Sequence, residues 1–200
     1  MAVAVPVYFD YASSLCFIAG VIGDRLEAEL DVVLDWRPVE IASQYPSWTK
    51  GALLDDDSRE RIRRVANETG VSLVTPTRWM DSRPALLGAF FARDCGCFRE
   101  YHRHVFQTAY AHGEDIGDAS VIERIADASG LAPAEFRRAL ASQRHARQLA
   151  DHLAEVQRFG VTGYPAFLLG QFPLTGIQPF DTMRLLFLRY LEQRAARSLH

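Results

Sequence analysis

Ser13 and Cys16 stand three residues apart where an apolar run gives way to a helical pattern. A hydroxyl and a thiol at such a place have a definite chemistry open to them. The first turn of a helix leaves backbone N–H groups unpaired and carries the positive end of the helix dipole, so an anion is favoured there. That field also lowers the pKa of a thiol, and the thiolate is the nucleophile. Cys16 is therefore a candidate reactive thiol, and Ser13 a candidate hydrogen-bond donor to a bound thiolate. The competing reading is structural: Ser13 caps the helix and Cys16 packs as a small hydrophobe. On the local residues alone the structural reading is favoured.

A second segment, Gly160-Val-Thr-Gly163-Tyr164-Pro165-Ala166-Phe167, sets a proline at the start of a strand after a glycine-rich turn. By itself this reads as an edge or turn proline with a trans bond. Cys95-Gly96-Cys97 could close a strained, easily reduced disulfide, although disulfides prefer Cα separations that near neighbours meet awkwardly. These two are read as thiols without a role. The histidines are scattered: His102 and His104 do not share a helix face, and with His145 and His152 they read as solvated or capping residues. No set has metal-ligand spacing. Asp55-Asp56-Asp57 reads as N-terminal charge on a helix. Trp48, Arg78 and Trp79 either line a substrate pocket or cover a seam, the seam being slightly preferred.

Two kinds of element must position these residues. Val3–Phe9 is an apolar, β-branched strand, near an edge because of Pro6. Leu15, Phe17, Ile18, Val21, Ile22 and Leu26 follow with helical spacing, and Leu30–Trp36 alternates as a second strand. The middle is helical: 58–69, 85–92, 98–109, 121–129, 133–140 and 146–156, with Pro84 in a first turn and Asp118 as a cap. Two short strands, 166–169 and 172–175, flank Gly170-Gln171, and a last helix opens at Pro179 and Asp181. The order is βαβ, helices, then ββα. It predicts an α/β domain from residues 1–50 and 156–200, interrupted by an all-helical insert, 51–155.

Composition sets the outer bounds. The chain has 200 residues, 48% hydrophobic and 24% charged, with a net charge of -3, so a folded core is expected and disorder is not. The interleaved charges leave no footprint for nucleic acid, and no stretch approaches the ~20 apolar residues of a membrane helix. Three cysteines cannot make a closed disulfide framework. With no basic leader visible, the expected location is the cytoplasm.

Taken together, the Ser-x-x-Cys at a helix start, the helical middle and the Gly-Tyr-Pro-Ala-Phe before a ββα end resemble the thioredoxin fold. More narrowly, the chain resembles the DsbA family, in the branch holding FrnE-type oxidoreductases, 2-hydroxychromene-2-carboxylate isomerases and kappa-class glutathione transferases. The likeness runs through Phe9-Asp10-Tyr11, Trp36-Arg37-Pro38, Ser82-Arg83-Pro84-Ala85-Leu86, Tyr101-His102, Gly113 to Asp118, Gly160 to Pro165 and Thr175 to Pro179.

The resemblance implies that Ser13 stands where redox members have their exposed cysteine and where glutathione-using members have a serine. Cys16 stands at the resolving-cysteine position. Tyr164-Pro165 matches the cis-proline turn, which with Tyr11, Gly176 and Gln178 would bind glutathione or a thiol-containing peptide. The leading expectation is a thiol-disulfide oxidoreductase-like enzyme with Ser13 and Cys16 catalytic, Cys16 reacting with alkylating agents below pH 7. The alternative is a glutathione-dependent isomerase or transferase for a small aromatic substrate, and a third is a non-catalytic thioredoxin-fold binding module. Ser13 in place of cysteine removes the internal disulfide that a dithiol cycle needs. No tightly bound cofactor is expected, glutathione would be a co-substrate, and a homodimer is possible.

Overall fold

The computed structural model describes residues 2–45 and 48–197. β1 (Val3–Phe9) and β2 (Val32–Pro38) run parallel, in register from Val3 opposite Val32 to Phe9 opposite Pro38. Parallel neighbours need a crossover, and α1 (Ser14–Glu29) supplies it. It turns Cys16, Ile18, Ala19, Ile22 and Leu26 onto the sheet. Gly23 lets this helix lie close: a Cβ there would come within 2.7 Å of Leu34 Cδ1.

β3 (Ala166–Leu169) pairs antiparallel with β1, and β4 (Phe172–Thr175) antiparallel with β3, giving the sheet order β2-β1-β3-β4. α8 (Phe180–Arg197) closes the chain, with Met183 and Phe187 buried. Pro6 is not on an edge strand as the sequence suggests, since β1 is paired on both sides. It lies one residue ahead of the short ladder to β3, which begins at Val7.

Between the two halves of the sheet lie α2 (Asp56–Thr69), α3 (Arg83–Asp94), α4 (Phe98–Tyr110), α5 (Ala119–Ala128), α6 (Pro133–Leu140) and α7 (Gln143–Arg158). This is the thioredoxin-like α/β arrangement with an inserted set of helices that the sequence implies. Local signals set the helix ends: Asp55 caps α2 and Asp118 caps α5 through their side chains, while Gly70 ends α2 with φ +70°. Asp56 and Asp57 occupy the first turn of α2, as charge complementing its dipole.

Two histidines depart from expectation. His102 is buried among Phe9, Trp36, Phe98 and Phe106, with Nδ1 3.1 Å from Tyr11 Oη. Burial pushes it down to about 3, so it stays neutral. His145 is also buried, held between Ala139 O and the Asp94 carboxylate. Each is a packing residue with one ring nitrogen paired far away in sequence, His102 to Tyr11 and His145 to Asp94, which helix-face patterning cannot see.

The outer edge of β2 is occupied by side chains. Glu27 accepts from Leu34 N at 2.6 Å, Arg93 donates to Trp36 O, and His152 Nδ1 lies 2.9 Å from Pro38 O. Arg37 joins this strand to α7 through both oxygens of Glu155, at 2.8 Å each. No helix among the described residues is long and apolar enough to cross a membrane.

Candidate functional site

The chain leaves β1 at Phe9 and enters α1 at Ser14, and the buried carboxylate of Asp10 shapes the turn between them. Its two oxygens accept from Ala12 N (2.9 Å) and Ile41 N (2.7 Å), and Ser82 adds a side-chain hydrogen bond. Asp10 O in turn accepts from Ser13 N at 3.1 Å. Burial raises the Asp10 carboxyl to about 6, against the lowering pull of these donors. One carboxylate thereby ties the β1–α1 turn to the segment after β2 and to the start of α3.

Ser13 is the N-cap of α1, extended at φ -98° and ψ 111°, with Oγ accepting from Cys16 N at 3.4 Å. It is half-exposed and opens into a cleft of about 310 Å³. Cys16, one turn on, faces the other way. Its side chain is wholly buried, and burial pushes the thiol up to about 12, partly offset by a hydrogen bond with the Ser13 hydroxyl. The expected low-pKa, accessible Cys16 is thus corrected: the helix dipole is a small effect beside the desolvation of a fully enclosed sulfur. At neutral and mildly alkaline pH Cys16 therefore stays protonated. Iodoacetamide is expected to modify Cys95 and Cys97 in the folded protein and to reach Cys16 only after unfolding, as peptide mass mapping will show. Alkylation of native Cys16 below pH 7 would contradict this enclosure.

Thr162, Gly163 and Tyr164 line the cleft with Ser13, and the Tyr164–Pro165 bond that follows is cis, Pro165 itself lying outside the lining. Tyr164 lines the cleft and its Oη exchanges hydrogen bonds with the Gln44 amide at 2.8 and 3.1 Å. Tyr45 Oη donates to Thr162 O at 3.2 Å, so the segment after β2 braces this loop. Pro165 O receives Gly176 N at 2.7 Å, which places Gly176 behind the turn. Gly176 and Gln178 are not among the residues lining the cleft, and neither is Tyr11. Tyr11 is fully buried, edge-on to Phe9 and Phe106, with its O receiving the Tyr110 hydroxyl. As a ligand contact Tyr11 is therefore a mistaken expectation: the residue after β1 points into the core.

The rest of the cleft wall comes from residues that carry no periodic signal. Tyr45, Trp48 and Trp79 form a stack, with ring centroids 5.2 Å and then 4.2 Å apart. A bridge between Leu53 and Arg78, with Gly51 N on Trp79 O and Trp79 N on Ala52 O, brings Trp79 to Trp48. The two tryptophans line the cleft, contrary to the slight preference for a seam. Arg78 does not, since it turns to Gly51 O. From α2 come Ser58, Ile62 and Arg61, the only charged side chain among the described lining residues. Sequence reasoning missed Asp10, Gln44 and Arg61. The local signals for the last two are a polar residue in a loop and one more arginine on a charged helix.

The arrangement is a helix N-terminus carrying an exposed hydroxyl, opposite a cis-proline loop, beside an aromatic wall with one cation. It can hold a thiolate or another anion at Ser13 and a flat apolar group at the wall. It cannot run an internal disulfide cycle, because residue 13 has no sulfur.

Comparison with known proteins bears on the fold and the family. In sequence the chain is 28% identical over 189 residues to the uncharacterized protein YwbO of Bacillus subtilis (strain 168), over 88% of this chain and 91% of that one. In structure it is similar to 2-hydroxychromene-2-carboxylate isomerase, with a TM-score of 0.73 at 20% identity over 98% of this chain and 97% of that one. It is similar also to the cytosolic disulfide reductase DsbM of Pseudomonas aeruginosa with GSH, with a TM-score of 0.70 at 16% identity over 95% and 100% of the two chains. Likeness at those identities is likeness of fold. A family model described as a DSBA-like thioredoxin domain matches residues 4–187, and the chain accordingly belongs to the DSBA-like thioredoxin domain family.

Proposed function

We propose that the chain is a glutathione-dependent enzyme, an isomerase or transferase acting on a small aromatic electrophile, rather than a dithiol oxidoreductase. The observation that carries this reading is the division of labour at the start of α1: the hydroxyl of Ser13 faces the cleft while the sulfur of Cys16 is sealed beneath it. A fold that usually exchanges disulfides has here an anion site with no exchanging sulfur of its own. A thiol from outside must then supply the nucleophile.

In this mechanism Cys16 acts through Ser13. Ser13 Oγ accepts from Cys16 N at 3.4 Å, which holds it at the cleft, and the hydroxyl proton that otherwise bonds the Cys16 sulfur turns to a sulfur bound in the cleft. The glutathione thiol loses its proton to solvent, and the Ser13 hydroxyl and the α1 dipole stabilise the thiolate. The thiolate adds to the electrophilic carbon of the second substrate. It stays there in a transferase, and is expelled after rearrangement in an isomerase. The Tyr45–Trp48–Trp79 wall suits a flat substrate, and Arg61 suits a carboxylate on either partner. The DsbM neighbour described with GSH supports the choice of thiol, and a reduced thiol as co-substrate suits a reaction in the cytoplasm.

Titrating glutathione against the fluorescence of Trp48 and Trp79 tests the reading. Binding in the micromolar to low-millimolar range is expected, weakened about tenfold or more in Ser13→Ala, because a hydrogen bond to a charged group contributes about 1.5–3 kcal/mol. No response at millimolar glutathione would sink the proposal. Binding without turnover on any aromatic electrophile would leave a binding module instead.

A further inference from the structure

Cys95 and Cys97 take no part in the cleft, and their surroundings give them a chemistry of their own. They flank Gly96 in the turn from α3 to α4, where Gly96 adopts φ +76°. The turn is held by its backbone: Cys97 N donates to Ala92 O at 2.9 Å and Gly96 N to Arg93 O at 3.1 Å, the paired bonds of a glycine-terminated helix. Cys95 is exposed and Cys97 half-buried, and both are free thiols. A Cβ placed on Gly96 would meet no atom within 4 Å, so the outer side of the turn is open to a reagent.

With Cys16 enclosed, the two solvent-reachable cysteine sulfurs of the chain lie in one turn. The left-handed glycine between them folds the chain back on itself. Two 3.8 Å steps bent to roughly a right angle span about 5.4 Å, inside the Cα range that disulfides accept. The sequence makes this pairing look awkward, but the turn supplies the curvature it needs.

We propose that Cys95 and Cys97 are a second thiol centre, a dithiol that exchanges with low-molecular-weight disulfides independently of the Ser13 cleft. The Cys95 thiolate attacks one sulfur of the disulfide RSSR, forming Cys95–S–SR and releasing RS⁻. The Cys97 thiolate then attacks the Cys95 sulfur, closing the Cys95–Cys97 bond and releasing the second RS⁻. The two protons given up by the cysteines end on two RSH molecules. The chain has lost two electrons and the reagent has gained them. Partial burial raises both thiols, and nearby negative charge adds to it, Asp94 and Glu135 for Cys95 and Cys95 itself and Glu100 for Cys97. Arg144 and His145 are engaged with Asp94. Exchange is therefore fastest at alkaline pH.

The test is incubation of the full chain with excess oxidised glutathione at mildly alkaline pH, read by non-reducing intact mass and peptide mapping. The expected product is lighter by two hydrogen atoms, with Cys95 linked to Cys97. Cys97→Ser should stop with one glutathionyl group on Cys95, and Cys95→Ser should not close. Stable glutathionyl groups on both cysteines, a single unclosed adduct on the unsubstituted chain, or two untouched thiols would each overturn the proposal.

Discussion

Replacing Ser13 by cysteine should turn this protein into a dithiol oxidoreductase. The Ser13 hydroxyl already lies within hydrogen-bonding reach of the Cys16 sulfur, so a sulfur at position 13 arrives beside its partner. Ser13 is the N-cap, extended at φ -98° and ψ 111°, and its side chain turns back over the first turn of α1 toward Cys16, so a sulfur there is aimed at its partner. The new thiol would be half-exposed at the positive end of α1. Each unit by which that field lowers its pKa raises the thiolate fraction at neutral pH about tenfold. Cys16 would then act as resolver, since its enclosure matters little once a mixed disulfide forms next to it.

In a background with Cys95 and Cys97 replaced by serine, we expect Ser13→Cys to raise insulin reduction by glutathione about tenfold or more over its parent. The oxidised form should contain a disulfide between the introduced sulfur and Cys16, seen by mass mapping. An introduced thiol that is alkylated readily yet never pairs with Cys16 would show that the sulfur at 16 is held away from exchange.

The second large effect concerns stability. Asp10→Ala strips the acceptors from the buried backbone N–H of Ile41, the half-buried N–H of Ala12, and Ser82. An orphaned buried donor costs about 1–3 kcal/mol, so a loss of about 3 kcal/mol or more is expected from urea unfolding. The pH dependence has a definite sign. The Asp10 carboxyl is raised from 3.8 to about 6 in the folded state, so folding favours its protonated form. Its contribution is fully present below 3.8 and is lost as pH rises through 6, by about 3 kcal/mol for a shift of some two units.

Asp10→Asn removes that titration while keeping one acceptor, and sets an amide donor against one of the two N–H groups. Its unfolding free energy should be lower than that of the unsubstituted protein at pH 4.5, and the gap should narrow by pH 7.5. A gap that stays constant between those values would show that Asp10 is not the titrating group.

Much of the scaffold was legible because it is written locally. Ser13, Asp55 and Asp118 announce helix starts by their side-chain oxygens, Gly70 announces a stop, and the apolar spacing of α1 names most of its buried face, with Val21 turned to solvent. The site was legible only in part. The sequence pointed to Ser13 and to the Tyr164–Pro165 loop, the latter through family resemblance against a local preference for trans, and the structure sets Ser13 and Tyr164 on one cleft with that bond cis. The state of Cys16 was not, because a dipole argument made from the helix alone omits the neighbours that enclose the sulfur. Tyr11 followed the same logic: its position after β1 is local, but its direction is set by Phe9, His102 and Phe106. The aromatic wall depends on a bridge between Leu53 and Arg78, a pairing of loops with no periodicity to announce it.

The side chains laid along the outer edge of β2 have a consequence for how this molecule lives among copies of itself. An open strand edge is a template for another chain, and repeated pairing of that kind leads to aggregation. Here Glu27, Arg93 and His152 already occupy the Leu34 amide and the carbonyls of Trp36 and Pro38. An incoming strand would have to displace three anchored side chains, two of them charged at neutral pH, to gain the same bonds. At the opposite edge, β4 spans four residues, and Pro173 within it has no N–H to offer. The sheet is finished on one side by substitution of partners and on the other by brevity, so neither edge invites an added strand and the sheet needs no closure into a barrel.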